Sequence, residues 1–445
     1  MNQKARRWVM LSFLLFFLIV SPILILYSLG FKYNWQKNRL EKTGVFFIKS
    51  FPKNSEVYLD GQPIGKKTPT QITRLLAKNY QLEIKKEGYR PWSKNLEILP
   101  QITTFIEDIS LFKEELNPEI LMAGTFAGLL PSPNRQMIAL IEETDQEKVL
   151  WIYNLLSDDF TKVYAAGLPS KLEIVSWSYT NRKLIIRDND SFVIINAIQP
   201  DYYLKLSEIT NLQVSQVKWH QLNDNLLIAE SNKRLYEIDI ISKNIRLLTD
   251  ELVLTFEPFK NDLIYISQED NSYFLKKLSS FSDQETLFSL PGSADYQFGK
   301  ADDFLILADA SQKVIYLLKP SESQPIKDII KNVADYNWHN QRLLYWNNSE
   351  LWSYDPESKE ENLLERTSQK VAYGFWHPNS THVFGVIANK LKIYELDGRD
   401  QRNIYELLEL ESDQEQSVLT DSKGNYLYLA ADYNGESGFY KIEIQ

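Results

Sequence analysis

The stretch "VSWSYTNRKLIIRDNDSFVIIN", residues 175–196, contains an aromatic strand end, a polar turn and two apolar strands separated by a second turn. Short apolar runs bounded by turn residues are typical of buried strands. The same pattern recurs along the C-terminal part of the chain. Eight units can be recognised: 129–155, 175–196, 217–240, 254–278, 297–318, 336–356, 374–396 and 418–444. The sequence therefore predicts a repetitive all-β structure.

The spacing of the units distinguishes between repeat architectures. Measured from the aromatic residue or its equivalent, consecutive units lie about forty residues apart, which suits the four-stranded blades of a β-propeller better than a helical solenoid. We predict a propeller over residues 118–445, with eight blades favoured and seven possible. The last unit ends after its third strand, and "NPEILMAG" at 117–124 can supply the fourth. A pair of β-sandwiches is the alternative, but it accommodates eight in-phase repeats poorly.

The size and charge of the chain limit its organisation and its partners. At 445 residues the chain exceeds one ordinary core, so more than one domain is expected. Residues 113–445 hold 32 basic and 51 acidic residues, a net charge of −19. Binding to phosphates needs clustered Lys and Arg, so nucleic acid is not an expected partner. The absence of cysteine excludes disulfides and thiolate chemistry without fixing the compartment.

The N-terminal segment has the length of a membrane span. The run "WVMLSFLLFFLIVSPILILYSL" at 8–29 is uncharged, and as a helix it would measure about 33 Å against a hydrocarbon core of about 30 Å. We predict a short tail at 1–7, a transmembrane helix at 8–30 and a juxtamembrane linker at 31–43. A buried core helix would need a polar face. A cleaved signal peptide is the more serious alternative, although the apolar run is longer than usual for one.

The flanking charges suggest an orientation without deciding it. Lys4, Arg6 and Arg7 precede the helix with no acid among them, which favours a cytoplasmic N-terminus, but basic residues also follow the helix. Long domains translocate largely regardless of flanking charge. We therefore expect a single-pass protein of the cell membrane with its C-terminal domains outside the cytoplasm.

Residues 44–113 predict a small β-sandwich next to this helix. Aromatic and β-branched runs alternate there with turn signals, of which Asp60-Gly61 is a two-residue hairpin signal because glycine accepts a positive φ. Five aromatic residues are expected in its core: Phe47, Tyr58, Tyr80, Tyr89 and Trp92.

The series "FPKNSEVYLDGQPIGKKTPTQITRLLAKNYQLEIKKEGYRPW" at 51–92 resembles a PEGA domain. Eleven positions fall in register: Pro52, Val57, Tyr58, Asp60, Gly61, Gly65, Thr68, Pro69, Tyr80, Gly88 and Tyr89. The name-giving step reads "PKNS", and Asn79 replaces a usual glycine. The resemblance implies a surface-exposed β-sandwich beside a membrane anchor, without known catalysis.

The repeat units resemble the blades of TolB-type and WD-type propellers, in which a Trp-Ser-Pro-Asp-Gly-like turn precedes the second strand. "PSPNRQMIAL", "WHPNSTHVFGV" and "TDSKGNYLYL" come nearest to that pattern. Three of the four histidines share one place in the repeat, immediately after Trp219, Trp338 and Trp376, with Trp177-Ser178 as a fourth instance. Equivalent positions on different blades lie around a ring, so we interpret these histidines as turn residues and predict no metal ligands.

Other candidates for chemistry have ordinary interpretations. His377 and His382 have no evident third ligand, and Asp188 and Asp190 match only half of a calcium loop. Ser437 lacks the spacing of a nucleophile elbow. The pairs Asp158-Asp159 and Asp302-Asp303 are more typical of solvated turns than of acid and base partners. We predict no catalytic, cofactor-binding or metal-binding residues, and no cofactor.

Together these features predict a membrane-anchored cell-surface protein that binds or scaffolds through its propeller, with a protein or glycan partner at the envelope. We do not expect catalysis. The alternative is an envelope glycan hydrolase or lyase with its active site at the propeller axis, since such axes can host carboxylate-based catalysis. A cluster of acids and aromatic residues at the axis would favour the enzyme, and an open loop face would favour binding.

Overall fold

A computed structural model describes residues 3–35, 37–292, 295–301, 303–410, 418–433 and 435–445. The chain forms two compact units. The first contains residues 1–116 together with 397–403 and 444–445, and the second contains 117–396 and 404–443.

The first unit begins with an apolar helix, α1 (Gln3–Ser28), whose segment Arg6–Ser28 is long and apolar enough to cross a membrane. Eight strands follow: β1 (Phe31–Asn34), β2 (Arg39–Phe51), β3 (Glu56–Leu59), β4 (Gln62–Lys67), β5 (Thr70–Leu76), β6 (Asn79–Lys85), β7 (Trp92–Glu97) and β8 (Thr103–Ser110). Residues 31–43, for which the sequence predicted a linker, contain β1 and the start of β2, paired antiparallel. Asn38, immediately before β2, has φ +50°, a conformation that asparagine adopts more readily than most residues.

The eight strands form the predicted β-sandwich. One sheet has the order β1-β2-β5 with β8 parallel to β2, and the other has the order β4-β3-β6-β7. Asp60 and Gly61 both adopt positive φ, as the hairpin signal predicted. Tyr80 and Trp92 are buried as expected, whereas Phe47 is only half-buried, because the alternation of β2 turns Phe46 into the core instead.

One buried cation is part of the first unit. The Lys94 side chain is 1% exposed, and its Nζ donates to the backbone carbonyls of Asp397, Arg399 and Gln401 at 2.7, 3.0 and 3.3 Å. An ammonium group has three donors, so these carbonyls match its hydrogen-bonding capacity. Burial without such partners would be strongly unfavourable.

The second unit consists of eight antiparallel four-stranded sheets, which we call blades 1 to 8. Blade 1 contains β10 (Thr125–Pro131), β11 (Met137–Glu143), β12 (Glu147–Asn154) and β13 (Asp159–Gly167), and blade 2 contains β14 (Leu172–Trp177), β15 (Lys183–Asp188), β16 (Ser191–Asn196) and β17 (Tyr203–Lys205). Blade 3 contains β18 (Val214–His220), β19 (Asn223–Ser231), β20 (Arg234–Asp239) and β21 (Ile245–Thr249), and blade 4 contains β22 (Val253–Phe259), β23 (Asp262–Glu269), β24 (Ser272–Ser279) and β25 (Asp283–Leu290). A 3-10 turn at Leu206–Glu208 follows β17.

The remaining blades repeat this plan. Blade 5 contains β26 (Tyr296–Lys300), β27 (Leu305–Asp309), β28 (Val314–Leu318) and β29 (Ile326–Lys331), and blade 6 contains β30 (Asp335–His339), β31 (Arg342–Trp346), β32 (Glu350–Asp355) and β33 (Glu360–Arg366). Blade 7 contains β34 (Val371–Trp376), β35 (His382–Ile387), β36 (Lys390–Glu395) and β37 (Ile404–Glu409). Blade 8 contains β38 (Val418–Thr420), β39 (Tyr426–Tyr433) and β40 (Glu436–Glu443), completed by β9 (Glu119–Ala123). The eight-bladed all-β architecture predicted from the repeats is thus confirmed.

The second strand of each blade carries consecutive buried residues and is therefore buried on both of its faces. In β15, Leu184 and Ile186 pack with blade 1, while Ile185 packs with blade 3. In β19, Leu227 packs with blade 2, while Ile228 packs with blade 4. A strand with two buried faces reads as a continuous apolar run rather than an alternating one. This explains why the repeat stands out in the sequence.

The ring closes through strands from the two ends of the second unit. Strand β9 pairs antiparallel with β40, joining Met122 to Phe439 and Ile120 to Tyr440. Blade 8 therefore has the fourth strand predicted from "NPEILMAG". Phe439 is fully buried and packs against Phe126 and Tyr153 of blade 1.

Truncation of Phe439 tests the closure. We expect Phe439→Ala to lower the free energy of unfolding by about 3–5 kcal/mol, because it removes a buried ring and leaves a cavity between blades 8 and 1. Leu156→Ala is the control, since Leu156 is 76% exposed, and it should change stability by less than about 0.5 kcal/mol. Chemical denaturation of both variants measures the difference. Equal stabilities would contradict a closure that depends on this contact.

Candidate axial binding site

The first strands of the blades surround the propeller axis. Neighbouring first strands contact one another in several places, including β10 with β14, β18 with β22, β22 with β26 and β30 with β34. The repeated tryptophans lie at the ends of these strands. The indole nitrogens of Trp177, Trp219 and Trp376 donate to carbonyls of the preceding blade, at Leu130, Ser176 and Asn337 and over 3.1–3.3 Å. At these three positions the repeat tryptophan connects successive blades.

The histidines that follow Trp219, Trp338 and Trp376 also make contacts between blades. His339 Nε2 lies 3.4 Å from the Pro378 carbonyl, and His377 Nε2 lies 3.1 Å from the Gly424 carbonyl. Gly424 has φ +76°, and a Cβ there would lie 2.2 Å from the His377 ring. His220 stacks on Phe281 at 4.8 Å. These contacts agree with the interpretation of the histidines as turn residues.

A cavity of about 320 Å³ lies between the first strands of blades 6, 7, 8 and 1. Its wall has an aromatic part, formed by Tyr336, Trp346, Tyr373 and Phe375, and a polar part, formed by Arg135, Asp335, Asn337 and Thr420. Ligand pockets usually measure about 300–1,000 Å³ and combine apolar walls with a few placed polar groups. The cavity is therefore a candidate binding site for a small chemical unit.

Arg135 gives the cavity a cation. It follows β10, in the turn between the first two strands of blade 1, and it has φ +52°. Its Nη1 donates to Thr420 Oγ1 of blade 8 at 2.9 Å. Burial lowers the pKa of the guanidinium from its usual value, and the nearby Asp421 carboxylate opposes that shift. Arginine remains protonated at neutral pH, so the side chain presents further N–H donors to the cavity.

Tyr336 contributes a phenol to the same cavity. Gly299 of blade 5 leaves room for it, since a Cβ at that glycine would lie 1.9 Å from the hydroxyl. Burial raises the pKa of Tyr336 well above its usual value, and the carboxylates of Asp335 and Glu257 add to the shift. The phenol therefore stays neutral and can donate or accept a hydrogen bond.

A buried ion pair lies on the first strands of blades 3 and 4. Lys218 Nζ contacts Glu257 Oε2 at 2.6 Å, and the Glu257 side chain is 3% exposed. The two charges largely neutralise each other at short range. Neither residue of this pair lines the cavity, and Asp335 is the one carboxylate among the described residues that do.

The acids singled out in the sequence make local contacts. Asp188 accepts hydrogen bonds from Tyr164 and Ser170, while the Asp190 side chain is fully exposed. Asp158 contacts Tyr153 and Lys441. The pair Asp302-Asp303 lies partly outside the described residues; Asp303 contacts Lys260 at 3.2 Å. None of these side chains lines the axial cavity among the described residues.

The other candidates stay separate from the cavity. Ser437 lies in the exposed hairpin of β39 and β40 and donates to Asp432. The rings of His377 and His382 are 6.1 Å apart. In the part of the chain that the structure describes, no group of three His, Asp or Glu side chains is placed to hold a metal ion. The lack of a metal role for these histidines stays a prediction.

Sequence reasoning did not select the cavity residues. Tyr336, Tyr373 and Phe375 stand one to three positions before a repeat tryptophan, and Arg135 stands in the equivalent turn of blade 1. That offset from the tryptophan is the signal that could have located the inner wall. The offset alone does not indicate which blades place aromatic side chains on the cavity wall, because that depends on how the blades are arranged around the ring.

Fold and site together define a propeller protein with an N-terminal apolar helix and an axial cavity. Comparison with known proteins adds that residues 43–108 match the PEGA domain family, so the chain contains a PEGA domain followed by a propeller. No curated protein matches the chain.

Solved propeller structures resemble the chain at low sequence identity. The Dos1 propeller is 12% identical over 74% of this chain and 94% of that chain, with a TM-score of 0.50. A eukaryotic initiation factor is 12% identical over 72% of this chain and 89% of that chain, also with a TM-score of 0.50. At this identity the likeness establishes the fold alone.

The buried histidine predicts a pH dependence of stability. Burial lowers the pKa of His377 below its usual value, so the unfolded chain binds a proton near pH 6.5 that the folded chain does not. Stability should be constant above about pH 7.5 and fall as the pH drops through about 6.5 towards 5. Thermal unfolding across this range measures the slope.

The variant His377→Gln keeps a donor for the Gly424 carbonyl but cannot titrate. Its stability should fall less steeply between pH 7 and pH 5 than that of the wild type. Some slope should remain, because burial also lowers the pKa of His220. An unchanged slope in His377→Gln would contradict the assignment to His377.

Proposed function

We propose that the protein is anchored in the cell membrane by α1 and acts outside the cytoplasm as a binding or scaffolding protein, whose propeller engages a protein or glycan partner of the envelope. The axial cavity is the observation that carries this proposal. It combines aromatic walls, a neutral phenol and a guanidinium in one partly open cavity. The PEGA match and the apolar helix support the location.

The chemistry of the cavity suggests the kind of group it binds. Aromatic rings pack against the apolar faces of sugars and against side chains, while Arg135 and Tyr336 provide hydrogen bonds that fix orientation. Its volume is near the lower limit for ligand pockets. A single sugar unit or a short protein loop fits this size better than a polymer lying along the cavity.

The alternative function, a glycan hydrolase or lyase, has less support from the acidic residues in and near the cavity. Most glycoside hydrolases use two carboxylates, one on each side of the bond they cleave. Asp335 has no second carboxylate beside it among the described lining residues, and Glu257 is paired with Lys218. Binding is therefore the function that this geometry supports best.

Proximity labelling on intact cells tests location and partners together. A labelling enzyme fused to the C-terminus should mark envelope proteins, because the propeller is proposed to lie outside the cytoplasm. Labelling confined to cytosolic proteins would overturn the orientation. Incubation of the full chain with a panel of envelope glycans is the companion experiment, and hydrolysis of any of them would refute the scaffolding proposal.

Two variants test the axial cavity against a partner identified in this way. Arg135→Gln should weaken binding about 10–100-fold, since a hydrogen bond to a charged group contributes about 1.5–3 kcal/mol. Tyr336→Phe keeps the ring and should weaken binding by about tenfold or less. The matched control is Arg182→Gln, because Arg182 is exposed in the equivalent turn of blade 2. Wild-type affinity in both cavity variants would place binding elsewhere.

A further inference from the structure

We propose that one end of the first unit lies on the membrane surface and contacts anionic lipid headgroups. We call this end the juxtamembrane face and define it as residues 29–35, 37–43, 74–79 and 97–102. The inference rests on the proposed membrane anchoring by α1. It adds a second contact with the bilayer, made by the PEGA sandwich rather than by the helix.

The end of α1 is joined directly to the sandwich. The backbone N–H and the hydroxyl of Thr43 both donate to the Gly30 carbonyl, at 2.8 and 2.7 Å. Arg74 of β5 donates to the Tyr27 carbonyl at 2.9 Å, and its guanidinium lies over the Tyr27 ring. Two different strands therefore hold the last turn of the helix. The depth of α1 in a bilayer therefore determines how close this end of the sandwich lies to the membrane surface.

A loop with exposed apolar side chains lies next to this junction. The N–H of Gln101 donates to the Thr43 carbonyl at 2.9 Å, and the N–H of Val45 donates to the Ile102 carbonyl at 3.1 Å. Gly44 permits this close approach, since a Cβ there would lie 2.4 Å from the Leu99 carbonyl oxygen. Leu99 and Ile102 are nevertheless 44% and 50% exposed.

The hairpin of β1 and β2 adds aromatic residues to the same face. Trp35 is 83% exposed at the tip, and the Tyr33 ring packs edge-on against it at 4.8 Å. Leu29, at the end of the helix, is 54% exposed. Tryptophan and tyrosine are enriched at membrane interfaces because their rings are amphipathic. In water these side chains would stay unfavourably exposed, whereas at headgroup depth they are buried.

The net positive charge of the juxtamembrane face favours contact with an anionic membrane surface. This face carries six basic residues against Glu41 and Glu97: Lys32, Lys37, Arg39, Lys42, Arg74 and Lys78. Glu41 stays ionised, because hydrogen bonds from Asn34 and Arg39 lower its pKa to about 2, and its charge is balanced by contacts with Arg39 and Lys37. Basic segments next to a membrane helix are attracted to anionic lipids. Residues 113–445, with their net charge of −19, provide no such attraction.

Spin labelling can measure the depth of the face directly, because the chain has no cysteine and single-cysteine variants need no background changes. The full chain would be labelled at Leu99→Cys or Ile102→Cys and placed in nanodiscs of phosphatidylcholine with phosphatidylglycerol. Accessibility to oxygen and to a water-soluble nickel chelate gives the depth. We expect both labels at headgroup level or up to about 10 Å below it.

Two control positions make the result interpretable. Lys53→Cys lies beyond the opposite end of β2, so its label should stay in water about 25 Å further from the membrane. Leu18→Cys lies in the middle of α1 and should be in lipid. A water-exposed Leu18 label would refute the membrane anchor itself. The other negative result has the Leu18 label in lipid, while the labels at Leu99 and Ile102 are as accessible to the nickel chelate as the label at Lys53. That result would refute the juxtamembrane face but not the membrane anchor.

The lipid dependence tests the role of charge. In discs of phosphatidylcholine alone, the labels at 99 and 102 should lie closer to water than in the anionic discs. The double variant Lys32→Gln and Lys42→Gln should produce the same shift in anionic discs, since both side chains are exposed cations of the face. Equal depths under all three conditions would contradict recognition of anionic headgroups.

Discussion

The pairing of β9 with β40 is the constraint on which the second unit depends. The second strand of each blade is apolar on both faces, so each blade needs a neighbour on both sides. An open row of eight blades would leave the outer faces of the first and last blades in water. Strand β9 joins the start of the unit to blade 8 through its pairing with β40, and Phe439 then fills the space between blades 8 and 1.

Closure also creates the candidate site. The axial cavity lies between blades 6, 7, 8 and 1, so its wall continues across the junction. The contact between Arg135 and Thr420 joins the first blade to the last. A ligand that binds in the cavity would therefore contact residues far apart in the sequence, and its binding would stabilise the closed ring by mass action.

Much of the architecture follows from the sequence because it depends on local patterns. Turn residues at Asp60-Gly61, apolar runs such as that of β15, and the incomplete last repeat each predicted the feature that the structure has. Strand alternation was harder to read where both positions are aromatic: Phe46 and Phe47 differ only in which face of β2 they occupy. The strand pairing at 31–43 was missed because no strong turn signal divides its two strands.

The cavity illustrates a different limit. The most conspicuous residues of the repeat, tryptophan and histidine, connect one blade to the next through carbonyl contacts at Asn337 and Gly424. Several residues of the cavity wall, Tyr336, Tyr373 and Phe375, precede a repeat tryptophan, whereas Arg135 and Trp346 lie elsewhere in their blades, so the wall varies from blade to blade. A repeat makes its structural positions visible through their recurrence, whereas a binding site on the axis needs different side chains on different blades. The candidate binding residues of such a protein are therefore sought among the positions that depart from its repeat.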